Sequence, residues 1–225
     1  MLNQMLDVKE KNSLTKVDSS YLIYKWIATN IEIELMGKNE DLSSVYNSGK
    51  GTGKGISALF NKMCDNLKVE AGSKFGYLKT SGVESEDIIT TWNYILIDGE
   101  YYLIDISSRI GFFQLTLFTL FYNDFFFGTN PEIFIRHHFP KDNKWQLLSN
   151  PLSFEEFNSQ AYLLYFFYLN ALKTISPDTN IIAGNGLSNI ILTYDDSISD
   201  ILTMVNIEDT NNPYNSGMNQ GIISN

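Results

Sequence analysis

Between residues 56 and 67 the chain places Ile56, Leu59, Phe60, Met63, Cys64 and Leu67 at alternating spacings of three and one. A helix gathers such a series on one side, leaving an apolar face that a second layer has to cover. The chain supplies that layer next. From Val69 the period falls to two, with Val69, Ala71, Phe75 and Tyr77 on one side of a strand. Residues 88–97 and 100–107 are then β-branched and aromatic runs separated only by Asp98-Gly99, which predicts a hairpin with a two-residue turn. A helix followed by consecutive antiparallel strands gives an α+β fold, with the sheet packed on the central helix.

The remaining punctuation fills in the frame. Leu22, Ile23, Trp26 and Ile27 share one face of a further helix, for which Asp18 or Ser19 is the expected cap. A short helix is expected over 40–46, another from Asn130-Pro131 with proline at its first position, and a third from Ser153, where Ser-x-x-Glu forms a capping box. We therefore expect a flexible tail over 1–16, a core over 17–160 and a small β-rich extension over 161–225. Within the extension, short strands are expected over 163–168, 180–182, 190–194 and 201–207, and the last dozen residues, rich in Asn, Gly and Ser, are expected to be disordered.

With 26 acidic against 16 basic residues, the net charge is −10 and no basic block exists to meet a phosphate backbone, so nucleic acid is not an expected partner. One cysteine and two adjacent histidines, His137 and His138, exclude an internal disulfide framework and a thiolate metal cluster. Neither a metal nor a cofactor is expected. The apolar stretches 110–121 and 161–169 are interrupted or too short for a hydrocarbon core of about 30 Å, so no transmembrane segment is expected. Residues 1–16 show no charged–apolar–small leader pattern, and the chain lacks an N-x-[ST] acceptor. A cytoplasmic, reducing setting is the expectation.

Residues 47–55, Asn-Ser-Gly-Lys-Gly-Thr-Gly-Lys-Gly, invite a phosphate-loop reading that the spacing refuses. A Walker loop needs glycine five residues before its Gly-Lys and a hydroxyl after it, but Gly53-Lys54 has Ser48 before and Gly55 after. The dinucleotide pattern fails as well, because Ile56 and Lys54 stand where its third glycine belongs. What remains is a helix start at which the backbone passes close to a neighbour.

Read in order, these local features resemble the transglutaminase-like superfamily, in the branch that includes kyphoscoliosis peptidase and fungal cytokinesis proteins with such a domain. The family's helix opening G-V-C-x-G-Y-A-x-L-F falls without a gap on residues 51–60, its H-A-W-N on Thr90-Thr91-Trp92-Asn93, and its I-D-G-x-W-Y-L-x-D on residues 97–105. Further blocks fall on Gly128-Thr129-Asn130-Pro131-Glu132, on His138-Phe139-Pro140 and on Lys144-Trp145-Gln146-Leu147-Leu148, and Trp26-Ile27 with Asn30-Ile31 matches the family's entry helix. The resemblance covers about residues 20–157 and implies a papain-like transglutaminase core.

An active member carries a nucleophilic Cys at the helix start, a strand His as its base and an Asp that orients the His. The resemblance puts Gly53, Thr90 and Asp105 at those positions, so only Asp105 keeps the family residue. The turn at Asp98-Gly99 makes cross-strand partners sum to 197, which sets Trp92 opposite Asp105 and Thr90 opposite Ser107. Thr90 and Asp105 then share a face as diagonal neighbours, about 7–8 Å apart. Ile56 and Trp92 are the candidate binding residues of the implied cleft. Cys64 lies eleven residues past Gly53 in the apolar stripe, about 16 Å along the helix, and reads as packing. His138 sits in the H-F-P block, where the resemblance implies a structural role, with a relocated base as the alternative. The expected function is a catalytically inactive domain that binds a protein or peptide partner. The alternative is a cysteine-type peptidase or transferase with a rearranged site.

Overall fold

The computed structural model describes residues 14–34, 37–80, 89–107, 124–163, 168, 172–179, 191–194, 201–207 and 217–223. The chain divides into two compact units, Met1–Tyr162 and Leu163–Asn225.

The first unit begins with helix α1 (Lys16–Asn30), capped by Thr15. The Thr15 hydroxyl accepts from the Asp18 amide at 3.1 Å, and the Asp18 carboxylate takes the Thr15 amide at 2.9 Å. Thr-x-x-Asp is a capping box that starts three residues before Asp18 and four before Ser19, the expected caps, so Asp18 is its acidic arm and Lys16 belongs to the helix rather than to a tail. Strand β1 (Glu32–Ile33) follows, then α2 (Leu42–Ser48), then β2 (Lys50–Gly51), which pairs parallel with β1 and carries the glycine segment back against the end of α1.

Helix α3 (Gly53–Asn66) carries the stripe. Ile56, Leu59, Phe60, Met63, Cys64 and Leu67 are each at most 5% exposed and pack with Ile23, Tyr24 and Ile27 of α1 and with Ile95, Ile97, Ile104 and Ile106. Those isoleucines come from one face of the sheet formed by β3 (Glu70–Leu78), β4 (Ile89–Ile97), β5 (Glu100–Ile104), β6 (Phe127–Thr129) and β7 (His138–Pro140), ordered β6-β5-β4-β3-β7 and antiparallel throughout. The hairpin stands as the sequence specifies. Asp98 and Gly99 take φ of 53° and 86°, both left-handed, and the ladder runs from Ile97↔Glu100 to Asn93↔Ile104. The α+β arrangement, an antiparallel sheet on a central helix, is the one expected.

Alternation along β4 and β5 sends Trp92 and Leu103 to the opposite face, where they meet Phe126 and Phe134. Phe134 comes from α4 (Pro131–Phe134), which starts with proline behind an Asn130 cap. Helix α5 (Phe154–Ser159) starts at the Ser153–Glu156 capping box and buries Phe157 beside Phe139. Most of the aromatic run over 111–127 lies outside the described residues. Its end does not: Phe126 joins the Trp92 cluster, and Phe127 packs against the α3 core.

The second unit contains two ladders, β8 (Leu172–Ser176) with β9 (Ile191–Tyr194) and β10 (Ile201–Ile207) with β11 (Gly217–Ile223), both antiparallel. β9 and β10 fall where strands are expected. Of the expected strand over 163–168 only 163 and 168 are described, neither of them in a strand, and the expected segment over 180–182 lies outside the described residues. β11 differs from the sequence expectation, since its composition reads as unstructured and yet it pairs with β10 at seven positions. Backbone amides and carbonyls make that ladder, and they do not depend on an apolar side-chain pattern.

Candidate functional site

The start of α3 is set by Thr52, whose hydroxyl accepts from the Gly55 amide at 3.2 Å. The glycines around it serve different ends. A Cβ on Gly55 would lie 2.6 Å from the Asn39 carbonyl oxygen, so there the backbone passes as close to a neighbour as the sequence predicts. Among the described residues, a Cβ on Gly53 would meet only Ser107, at 3.6 Å from its Cβ and 3.7 Å from its Oγ, which is ordinary contact. Nothing in the packing of the described residues requires glycine at 53. Gly53→Ala is therefore expected to raise stability by about 0.5 kcal/mol in urea unfolding, by narrowing the unfolded ensemble. Gly55→Ala is expected to lower it by about 2 kcal/mol through overpacking. Equal losses in both variants would contradict this division.

Ser107 links the helix start to the sheet. Its amide and its hydroxyl donate to Asp105 Oδ1 at 2.7 and 2.6 Å, an Asx turn just past the end of β5. The Asp105 amide donates to the Phe126 carbonyl at 2.9 Å, which fixes the carboxylate on the Trp92 face. On its other side, Asp105 Oδ2 lies 2.7 Å from His138 Nε2, and neither side chain has any exposed surface. His138 stands at the start of β7, opposite Leu78 of β3. Phe134 stacks on its ring at 4.2 Å, and Phe126 and Trp92 meet it edge-on at 5.2 and 5.4 Å. An imidazole does reach Asp105, from a strand other than the one carrying Thr90.

Thr90 is partly exposed on β4 and pairs with Gly76 of β3. The observed β4–β5 pairs sum to 197, as the turn requires, but the ladder ends at Asn93↔Ile104, before Thr90 is reached. Gly53 and Asp105 are thus brought together through Ser107, while the place of Thr90 beside them rests on register. Ile56 and Trp92, expected as cleft residues, are each 1% exposed. That expectation is corrected: both are core side chains that back the site without presenting surface to a ligand. The reason is parity, which turns Trp92 into the aromatic cluster, and helical phase, which turns Ile56 into the main core.

The chemistry follows from the order of groups. In a serine relay an imidazole stands between hydroxyl and carboxylate and takes the proton. Here the carboxylate stands in the middle, with Ser107 on one oxygen and His138 on the other, so the hydroxyl has no imidazole to activate it. The single thiol of the chain, Cys64, is fully buried, and burial raises its pKa well above the ordinary thiol value, opposite to what a nucleophile needs. His137, 5% exposed, is pushed down to about 3 by burial first and then by nearby His138, Arg136 and Lys79, so it stays neutral at physiological pH. Among the described residues no group of three or more His, Cys, Asp or Glu side chains could hold a metal ion, and no described helix is long and apolar enough to cross a membrane. The role of His138 carried no signal in sequence spacing, because β7 is only three residues long.

No family model matches the chain. It is 27% identical over 205 residues to mouse kyphoscoliosis peptidase, covering 85% of this chain and 31% of that protein. It is 23% identical over 180 residues to the Lim and transglutaminase domain protein ltd-1 of Caenorhabditis elegans, covering 71% of this chain and 25% of the relative. A solved structure described as a TGase superposes on 55% of this chain and 34% of its own, at 13% identity and a TM-score of 0.40. The chain spans less than a third of the length of the curated relatives it matches. Those sequence relatives align across most of this chain and support its assignment to the transglutaminase-like superfamily.

Proposed function

We propose that the chain is a transglutaminase-like domain that has lost catalysis and serves as a protein-interaction or scaffolding module. The observation that carries the proposal is the helix start at Gly53, which among the described residues has room for a side chain and bears none, beside a carboxylate already held by Ser107 and His138. In this reading Gly53 and Thr90 stand where the nucleophile and base of the family have been replaced, and Asp105 survives as part of a buried polar network. Peptide or protein binding without cleavage is the remaining use of such a surface. The branch resembled contains cytokinesis proteins, so a cytoplasmic, cytoskeletal partner is the first class to test. The competing reading, a rearranged cysteine enzyme, would have to recruit Cys64.

Turnover separates the two. Purified protein is expected to neither hydrolyse peptides nor incorporate a primary amine into a glutamine-bearing acceptor, giving the same background as Cys64→Ser. Activity that disappears in Cys64→Ser would establish the enzyme instead.

A further inference from the structure

Strand β3 runs for nine residues, and on the side away from β4 only its second half is covered. There β7 pairs with Gly76, Tyr77 and Leu78, and the ladder is closed by the Lys79 amide on the His137 carbonyl at 2.8 Å and the Lys141 amide on the Phe75 carbonyl at 3.2 Å. Backbone groups alternate in direction along a strand, so Ala71 and Ser73 send their N–H and C=O to the same side as Phe75. By then β7 has ended. Among the described residues no backbone group hydrogen-bonds to Ala71 or Ser73 on that side. Such an edge is a template for another strand unless something guards it. Here the ladder with β4 runs from Glu70↔Leu96 to Tyr77↔Ile89 without a bulge, and no proline interrupts it. The one lysine of the uncovered stretch, Lys74, is laid over the Trp145 ring with its Nζ 3.6 Å from the ring centre.

The uncovered stretch is Glu70-Ala71-Gly72-Ser73-Lys74, and its charges are complementary to themselves. Laid antiparallel on a second copy with Gly72 on the two-fold axis, Glu70 faces Lys74 of the second copy and Ala71 faces its Ser73, and symmetry repeats both contacts. The Ala71–Ser73 pairs are of the hydrogen-bonded kind and use the groups that β7 leaves open. The Glu70–Lys74 pairs are of the other kind, in which facing side chains lie closest. Gly72 faces itself with α-carbons about 4.5 Å apart and no side chain to crowd the axis. Registers centred on Ala71 or Ser73 would set Glu70 or Lys74 opposite Gly72 and lose the charge match. Both charges are available, since neither Glu70 nor Lys74 has an ion-pair partner among the described residues. Burial first, and Lys144 after it, lower the pKa of Lys74 against the opposing pull of Asp142, as befits a cation short of negative charge.

We propose that the open edge of β3 is a self-association surface, on which a second copy of this chain pairs antiparallel through residues 70–74 and joins the two sheets into one. The backbone supplies adhesion and the paired Glu70 and Lys74 supply register and choice of partner. A net charge of −10 on each copy opposes approach, so the dimer is reversible and forms in the micromolar to millimolar range. The inference goes beyond the interaction reading, because it names a partner and holds whether or not the domain retains turnover.

Sedimentation of the 225-residue chain across that range is expected to show a monomer–dimer equilibrium. Glu70→Lys sets like charges opposite each other at both ends of the ladder, as does Lys74→Glu, and each variant alone is expected to dimerise at least tenfold more weakly. Mixed in equal amounts, the two variants again set opposite charges face to face, and association is expected to return to within threefold of the parent chain. Misfolded variants could not give that recovery. Glu70→Ala, a change at an exposed side chain, is expected to weaken the dimer at least threefold. A chain monomeric at every concentration, single variants that dimerise as well as the parent, or a mixture that stays monomeric overturns the proposal, and the first of these leaves the edge to a strand of a different protein. None of these results touches the loss of catalysis at Gly53, which the turnover assay decides separately.

Discussion

Replacing Asp105 with alanine is expected to lower the stability of the first unit by about 3–5 kcal/mol, because several buried polar groups lose their partner together. The deletion leaves the Ser107 amide and hydroxyl without their acceptor and leaves His138 Nε2 enclosed by Phe134, Phe126 and Trp92. Each abandoned buried group costs its own desolvation, about 1–3 kcal/mol. Asp105→Asn keeps an oxygen for Ser107 and alters the contact with His138, so about half that loss is expected. Urea unfolding with a constant m-value reads both. A loss under about 1 kcal/mol for Asp105→Ala would mean that the carboxylate is dispensable to the fold and is retained for some other reason.

Acid is expected to destabilise the protein through His137 by an amount of similar size. Its pKa in the fold is about 3, against about 6.5 when unfolded. Between those values the unfolded chain holds a proton that the folded chain does not, so unfolding takes one up and stability rises with pH. The contribution is fully present above about pH 6.5 and is lost as pH falls toward 3, at about 1.4 kcal/mol per unit, or about 4–5 kcal/mol in all. His137→Phe, which keeps an aromatic ring beside Phe126 and Tyr162, removes the titration. The slope of stability against pH between 4 and 6 is expected to fall by about one proton in that variant, and an unchanged slope would contradict the assignment.

Both effects arise in the part of the site that the sequence does not announce. The stripe from Ile56 to Leu67, the Asp98-Gly99 turn and the Ser153 box are local patterns with local causes, and each forms where its residues specify. The register of the hairpin carried further still, because a two-residue turn fixes every pair along the ladder. The His138–Asp105 contact joins residues 33 apart, one on β7 and one just past the end of β5, strands that are not neighbours in the sheet, and no periodicity reports how such strands approach. The buried state of Trp92 and Ile56 was available from strand parity and helical phase. The Thr15 cap was legible too, since Thr-x-x-Asp precedes the first apolar turn.

Loss of catalysis requires that this chain offer no usable thiolate, and because it contains one cysteine a single reagent can decide. Native protein held with iodoacetamide at neutral pH and analysed by intact mass is expected to remain unmodified, with alkylation of Cys64 appearing only after unfolding in urea. Rapid, complete labelling of the native chain would show a reactive thiol at the surface and would contradict the loss of the nucleophile.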